Sequence, residues 1–358
     1  MKQEFKHLKV VEIASVLAGP SVGLFFAELG AQVIKVENKK TGGDVTRSWK
    51  LPNEDKDASI SAYYSAVNWH KQSIFMDFTN PTDQSQLKAH ITDADIIIVN
   101  FKSGDAEKFN LDYPTLSKLN PNLIYGEITG FGHDSDRVAY DLILQAESGF
   151  MSMNGTPGSD PVKMPVALID LLAGHQLKAG ILTALYQRDA AQKGGCLVSV
   201  SLFDSAVASL ANQASNWLMK AHIPKRMGSK HPNIAPYGEF FTTKDSCSIT
   251  FAIGSNKQFM NLCKILHISE LADHPHFENN AARVENRLSL ASYLQDAVEQ
   301  FERATLLSLL EAKFVPVAQI KNVKQVFESD AAQQLILKET IEGIETQRVQ
   351  TAVFNISR

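Results

Sequence analysis

At 358 residues with 44% hydrophobic side chains, the chain is long enough for two globular cores and too long for one small one. Its formal net charge of −4 is spread without a basic block, which argues against nucleic acid or an anionic membrane surface as a partner. Cys196, Cys247 and Cys263 are odd in number and far apart, so they give neither a disulfide framework nor metal-ligand spacing, and a reducing cytoplasm is expected, with no metal.

The start, MKQEFKHLKVVEIA, holds charges and no cleavable apolar segment, and no apolar run is read as long enough to span a bilayer. Residues 8–14 (LKVVEIA) predict a strand, SVLAGPSVGLFFAELG a helix and AQVIKVE a second strand, which together make a βαβ unit. Pro20 is expected at the first helical position and Gly30 at the C-terminal end of that helix. Further strands are predicted at 73–78, 95–100 and 123–130. A helix near 141–153, a long one near 171–188, a strand at 196–203 and a helix to about 220 come next.

This alternation predicts an α/β class with a largely parallel sheet covered by helices. The segment 221–238 carries three prolines and reads as a linker. Beyond it, GEFFTTKDSCSITFAIG predicts a hairpin turning at Lys244-Asp245, with helices near 256–267, 287–301 and 304–313. VPVAQIKNV and TAVFNIS are late extended segments expected to return to the first domain. The expected layout is therefore a large α/β domain over 1–220, a linker over 221–238, a small α+β domain over 239–318 and a return segment over 319–358.

The βαβ opening with Glu37 ending its second strand invites a dinucleotide reading, but its turn, ASVLAGPS, lacks G-x-G-x-x-G, so neither NAD nor FAD is expected. Lys35, Lys39, Lys40, Arg47, Lys71, Lys102 and Lys108 lie near predicted strand ends, where a cationic rim could hold phosphates; each alone also reads as a solvated charge. His133, His175 and His231 show no ligand spacing. Asp170, in MPVALIDLLAG, admits two readings: an N-cap, or a carboxylate kept ionised at a helix N-terminus and available as a nucleophile toward an activated acyl group.

Eleven separated stretches, in order, carry a resemblance: LKVVEIASVLAGP, LGAQVIKVEN, GGDVTRSW, NWHKQSIFMDF, IIIVNFKSG, LNPNLIYGEITGFG, AYDLILQAESGFMS, ALIDLLAG, SVSLFDSAVA, HPNIAPY and NNAARVENR. Over most of residues 8–330 the chain resembles the class III coenzyme A transferases, the CaiB/BaiF group that includes formyl-CoA transferase, carnitine CoA-transferase and α-methylacyl-CoA racemase. The resemblance implies a Rossmann-like large domain built from both chain ends, a smaller inserted domain and an interlocked homodimer.

It also implies transfer of CoA from an acyl-CoA donor to a carboxylic-acid acceptor, with Asp170 forming the covalent aspartyl intermediate. CoA contacts carry over to Ser15, Val16, Leu17 and Ala18, to Lys71 and Gln72, and to Asn100 with Lys108. Tyr140 carries over as an active-site residue. Three departures stand out. Tyr140 replaces the histidine of racemase members, which favours transfer over an acyl-CoA racemase; a non-catalytic CoA-binding protein, with Asp170 only a helix cap, is the other alternative. Asn38 replaces a frequent arginine, leaving Lys39 or Lys40 for the phosphates. A glycine-rich loop is reduced to Gly254, which removes the basis for an oxalate/formate specificity.

Overall fold

The computed structural model describes residues 3–357. They form two compact units, the first taking the chain up to Met151, Lys163–Ile223 and everything from Gln334, the second Ser152–Val162 and Pro224–Gln333.

The first unit is built on six strands, β1 (Lys9–Ile13), β2 (Gln32–Asn38), β3 (Lys71–Met76), β4 (Ile96–Val99), β5 (Ile124–Thr129) and β6 (Cys196–Ser201). They lie in the order β3-β2-β1-β4-β5-β6, every pair parallel. This is the doubly wound order whose strand sequence reverses between β1 and β4. Both faces are covered. Val10, Ile96, Ile98 and Ile124 enter one core with Val22, Phe26 and Ile181, and Val11, Ile97, Val99 and Tyr125 enter the other with Leu87 and Ile91. Burial on both sides is why IIIV reads as an unbroken apolar run rather than an alternating one.

Three helices of this unit matter most for function: α1 (Ala18–Glu28), α2 (Asp141–Glu147) and α3 (Leu168–Ala191). α1 starts two residues before Pro20, and Gly30, at φ 93°, lies just past its end in the left-handed conformation that glycine adopts without strain. The helix expected over 141–153 is broken by Gly149 at φ 89°, and the one expected to reach 220 is split into Leu202–Ala208 and Asn212–Lys220 around Ala211 at φ 49°.

α3 corrects the reading that no segment could span a bilayer, because it has the length and composition to do so. Half of its most apolar window is nevertheless buried within the protein, where Leu177 and Ile181 sit in the core.

In the second unit β7 (Tyr237–Thr242), β8 (Ser248–Ala252) and β9 (Val317–Gln319) form an antiparallel sheet in that order, packed with the helices Asn256–Ile265, Arg287–Val298 and Arg303–Glu311. The segment 224–238 belongs to this unit, with Ser152–Val162 tied to it by Arg226 Nη1 donating to Ser152 O (3.0 Å) and Gly228 N to Gly155 O (2.8 Å). VPVAQ does not return to the first unit, since β9 pairs with β8; the return begins at Gln334.

The return segment forms a hairpin that sequence reading missed, β10 (Ile336–Ile341) and β11 (Ile344–Val349), turning through Glu342 (φ 51°) and Gly343 (φ 82°). Two positive φ values in a two-residue loop make a type I′ turn, whose twist suits the strands. The hairpin is clasped to the start of the chain: Arg47 bridges Glu37 and Glu342, and Arg348 Nη1 reaches Glu28 Oε1 at 2.7 Å.

Candidate active site

At the carboxyl ends of β1, β4 and β5, where the strand order reverses, lies a cleft of about 440 Å³ lined by Ser15, Val16, Ala18, Asn100, Tyr140 and Asp170 among others. Two helices begin there with no cap from their own N-cap side chains, α1 after Leu17 and α3 after Ala167. Both turn the positive end of a helix dipole toward it. They pack so closely that a Cβ on Gly174 would stand 2.4 Å from Ser21 Oγ and 3.2 Å from Ala18 O. The glycine of DLLAG is thus what lets α3 lie against the first turn of α1.

Asp170 occupies the third position of α3 and is 8% exposed. It is not the helix cap. Asp141, the first residue of α2, does that work from outside, its Oδ1 accepting from Ile169 N at 2.7 Å and Asp170 N at 3.4 Å. The Asp170 carboxylate takes no hydrogen bond from any described residue. Burial pushes its pKa up to about 7, and Asp141 adds to the rise. Desolvation and a like charge thus act against the helix dipole expected to keep it ionised.

Ser15 is bracketed by Asn100, whose Oδ1 accepts from Ser15 N (3.0 Å) and whose Nδ2 donates to Ser15 O (2.9 Å). Tyr140 is 59% exposed at the cleft. Other expected site residues are placed elsewhere. Leu17 turns its side chain toward Leu24, Val67 and Trp69. The Lys71 side chain is fully buried, its Nζ 2.7 Å from Glu12 Oε2, so it is a core ion pair and not a phosphate ligand. Lys35 and Arg47 of the supposed cationic rim are likewise consumed, by Glu12 with Asp44 and by Glu37 with Glu342.

Gln72 and Lys39 are exposed but do not line this cleft; nor does Lys108, whose ammonium lies 5.2 Å from the Phe109 ring centre. Lys102 and Arg137 do line it. Gly254 lies in the second unit, its N–H donating to Gln258 Oε1 at 2.9 Å.

Sequence reading missed four residues. Asp141, the first residue of α2, carries no local signal of its contact with α3. Tyr63 is within electrostatic reach of Asp170, since burial and then the Asp170, Asp141 and Asp44 carboxylates raise its pKa and keep the phenol protonated. His133 and Glu127 face each other across 3.3 Å on the cleft wall, with Ser199 Oγ 2.9 Å from His133 Nε2. Burial raises the Glu127 pKa, His133 opposes the rise and Glu107 adds to it. None of these pairings has a fixed spacing along the chain.

A doubly wound sheet with a buried, unpartnered carboxylate at its switch point, and no glycine-rich dinucleotide turn, defines a class. Residues 5–358 match the model of CoA-transferase family III, and the chain belongs to that family. It is an enzyme that transfers CoA between acids.

It is 37% identical over 349 residues to the succinate–glutarate CoA-transferase of Agrobacterium fabrum, covering 96% of this chain and 86% of that one. To the human succinyl-CoA:glutarate CoA-transferase it is 35% identical, covering 89% and 72%. It is 32% identical to the acetyl-CoA:oxalate CoA-transferase of Acetobacter aceti, over 94% and 86% of the two chains. Its fold is similar to the crystal structure of a CaiB/BaiF family protein from Brucella suis, with a TM-score of 0.86, 38% identity and coverage of 97% and 91%.

Proposed function

We propose that the protein moves CoA from an acyl-CoA thioester to a carboxylic acid through a covalent intermediate on Asp170. The observation that carries this reading is a carboxylate 8% exposed, lining a cleft, with no hydrogen-bond partner of its own among the described residues. Such a group has little stabilisation to lose on bonding to carbon.

The steps balance without any outside reagent. Asp170 attacks the donor carbonyl, forming a mixed anhydride and releasing CoA thiolate. The thiolate attacks the aspartyl carbonyl and the donor acid leaves, giving an aspartyl-CoA thioester. The acceptor carboxylate attacks that thioester to form a second anhydride, and the returning thiolate takes the acceptor acyl group and frees Asp170. The start of α1, which has no side-chain cap, supplies N–H donors, the starts of α1 and α3 supply positive potential near the developing oxyanions, and burial keeps water from the anhydride.

In this reading Ser15, Val16, Ala18 and Asn100 hold CoA, and Tyr140 stands at the reacting end. Because relatives are named for succinate, glutarate and oxalate, a dicarboxylic acid is the proposed acceptor class. The enzyme is proposed to work in the cytoplasm as an interlocked homodimer, which sedimentation would read directly. To test the chemistry, the protein is incubated with succinyl-CoA and hydroxylamine, then digested. A hydroxamate on Asp170 is expected; transfer to a panel of dicarboxylates with no trapped label at Asp170 would refute the covalent route.

A pH profile gives a second check. Only the ionised carboxylate attacks, so kcat/KM should rise with pH through about 7. Asp141→Asn removes the like charge that raises Asp170 and leaves an amide oxygen to accept from Ile169 N. The midpoint is therefore expected at lower pH than in the unaltered enzyme. An unmoved midpoint would show that Asp141 does not act on this carboxyl.

A further inference from the structure

Val16 has φ 71°, a backbone conformation that β-branched residues rarely adopt, and it sits on the cleft wall between the end of β1 and the start of α1. Its N–H donates to both oxygens of Asp44, 3.3 Å to each. Asp44 is itself fixed from several sides. Lys35 Nζ lies 3.0 Å away, Thr46 donates its N–H (3.0 Å) and Oγ1 (2.8 Å), and the Asp44 N–H donates to Glu37 Oε2 (2.7 Å). Lys35 in turn donates to Ala14 O at 2.8 Å, so the network returns to the same turn two residues earlier. A strained residue at a cleft persists only when its surroundings over-determine it.

We propose that Asp44 is a positioning residue for CoA transfer: it holds Val16 in the left-handed conformation, so that the backbone from Ser15 to Ala18 keeps the shape that faces Asp170. This rests on the transferase reading above, and Asp44 itself is given no contact with substrate. Without the Asp44 oxygens Val16 relaxes to negative φ, the peptide planes on either side rotate, and the first turn of α1 no longer lines the cleft in the same way.

Glycine occupies positive φ without strain, which allows a thermodynamic cycle. Asp44→Ala is expected to lower kcat/KM roughly tenfold or more, chiefly through kcat, while the same change in a Val16→Gly background costs less than about threefold. Asp44→Glu, which keeps the charge facing Lys35, guards against loss of the fold and is expected to show the same cancellation. An equal loss in both backgrounds would overturn the proposal, since a merely structural Asp44 gains nothing from a glycine at position 16.

The conformation is also read without substrate. In protein carrying ¹³C-valine, the Val16 Cα and Cβ shifts should leave their left-handed values in Asp44→Ala; unchanged shifts would overturn the proposal whatever the activity. A wild-type protein that transfers no CoA would sink the functional reading instead, leaving the shifts to decide the role of Asp44.

Discussion

Asp170→Asn should lose CoA transfer by about 10⁴-fold or more and at the same time gain stability above neutral pH. The amide has nearly the shape of the carboxylate but is no nucleophile at a thioester, so kcat collapses while CoA binding by the Ser15–Ala18 turn is retained. The stability gain comes from linkage. An exposed aspartate ionises near pH 3.9, whereas burial and Asp141 hold Asp170 to about 7 in the folded protein.

Between these values the folded state binds the proton and the unfolded state does not, so stability falls as pH rises. Above about 7 both states are ionised and the whole deficit is present. The amide carries no such deficit. Its advantage should be absent near pH 3.5, grow through the interval, and reach up to about 4 kcal/mol at pH 8. Chemical denaturation at the two pH values measures it. A variant equally or less stable at pH 8 would show that Asp170 is not held at a cost, and activity surviving the change would remove it from the reaction.

Lys35→Met carries the second large effect, on folding. The Lys35 ammonium is fully buried and lies 3.0 Å from Glu12 Oε1 and 3.0 Å from Asp44 Oδ2, both carboxylates themselves buried. These charges hold Lys35 protonated against its desolvation, so its pKa stands above the ordinary lysine value. Lys71 shares Glu12 alone and has Lys35 as a like-charged neighbour; desolvation prevails there and its pKa falls to about 8.

Removing Lys35 leaves Asp44 without a counter-charge and Glu12 with one lysine instead of two. Breaking a buried pair from one side costs about 3–5 kcal/mol, because the remaining charge stays desolvated. The loss should persist in 1 M salt, where an exposed pair would be screened away. A loss below about 1 kcal/mol would mean that the network is far better hydrated than its burial indicates.

The range of each signal along the chain decided what was legible. The strands of the parallel sheet were readable because two-sided burial writes itself as local apolar runs such as IIIV, and β10–β11 were missed because one-sided, half-exposed strands write a weaker pattern. The chemical identity of Lys71 was legible, but its use was not. A lysine beside a strand end looks the same whether it meets phosphate or, as here, Glu12 on a strand 59 residues earlier. Asp170 could be singled out because an acid before an apolar helix is a local anomaly. That Asp141 caps the helix in its place depends on a contact across 28 residues, which no local pattern encodes.

The clasp at Glu28 bears on how the chain is made. Glu28 is 4% exposed, and its carboxylate is met by the Arg348 guanidinium and by the N–H groups of Thr351 and Ala352, the last at 2.6 Å. Arg47 likewise waits for Glu342. On the ribosome the whole parallel sheet, complete at residue 201, emerges long before these partners do. The second unit, closed on itself from Pro224 to Gln333 with its early stretch Ser152–Val162, can finish first. The helix that opens onto the cleft at one end is thus locked at its other end by residues made 323 and 324 positions later, after the whole second unit.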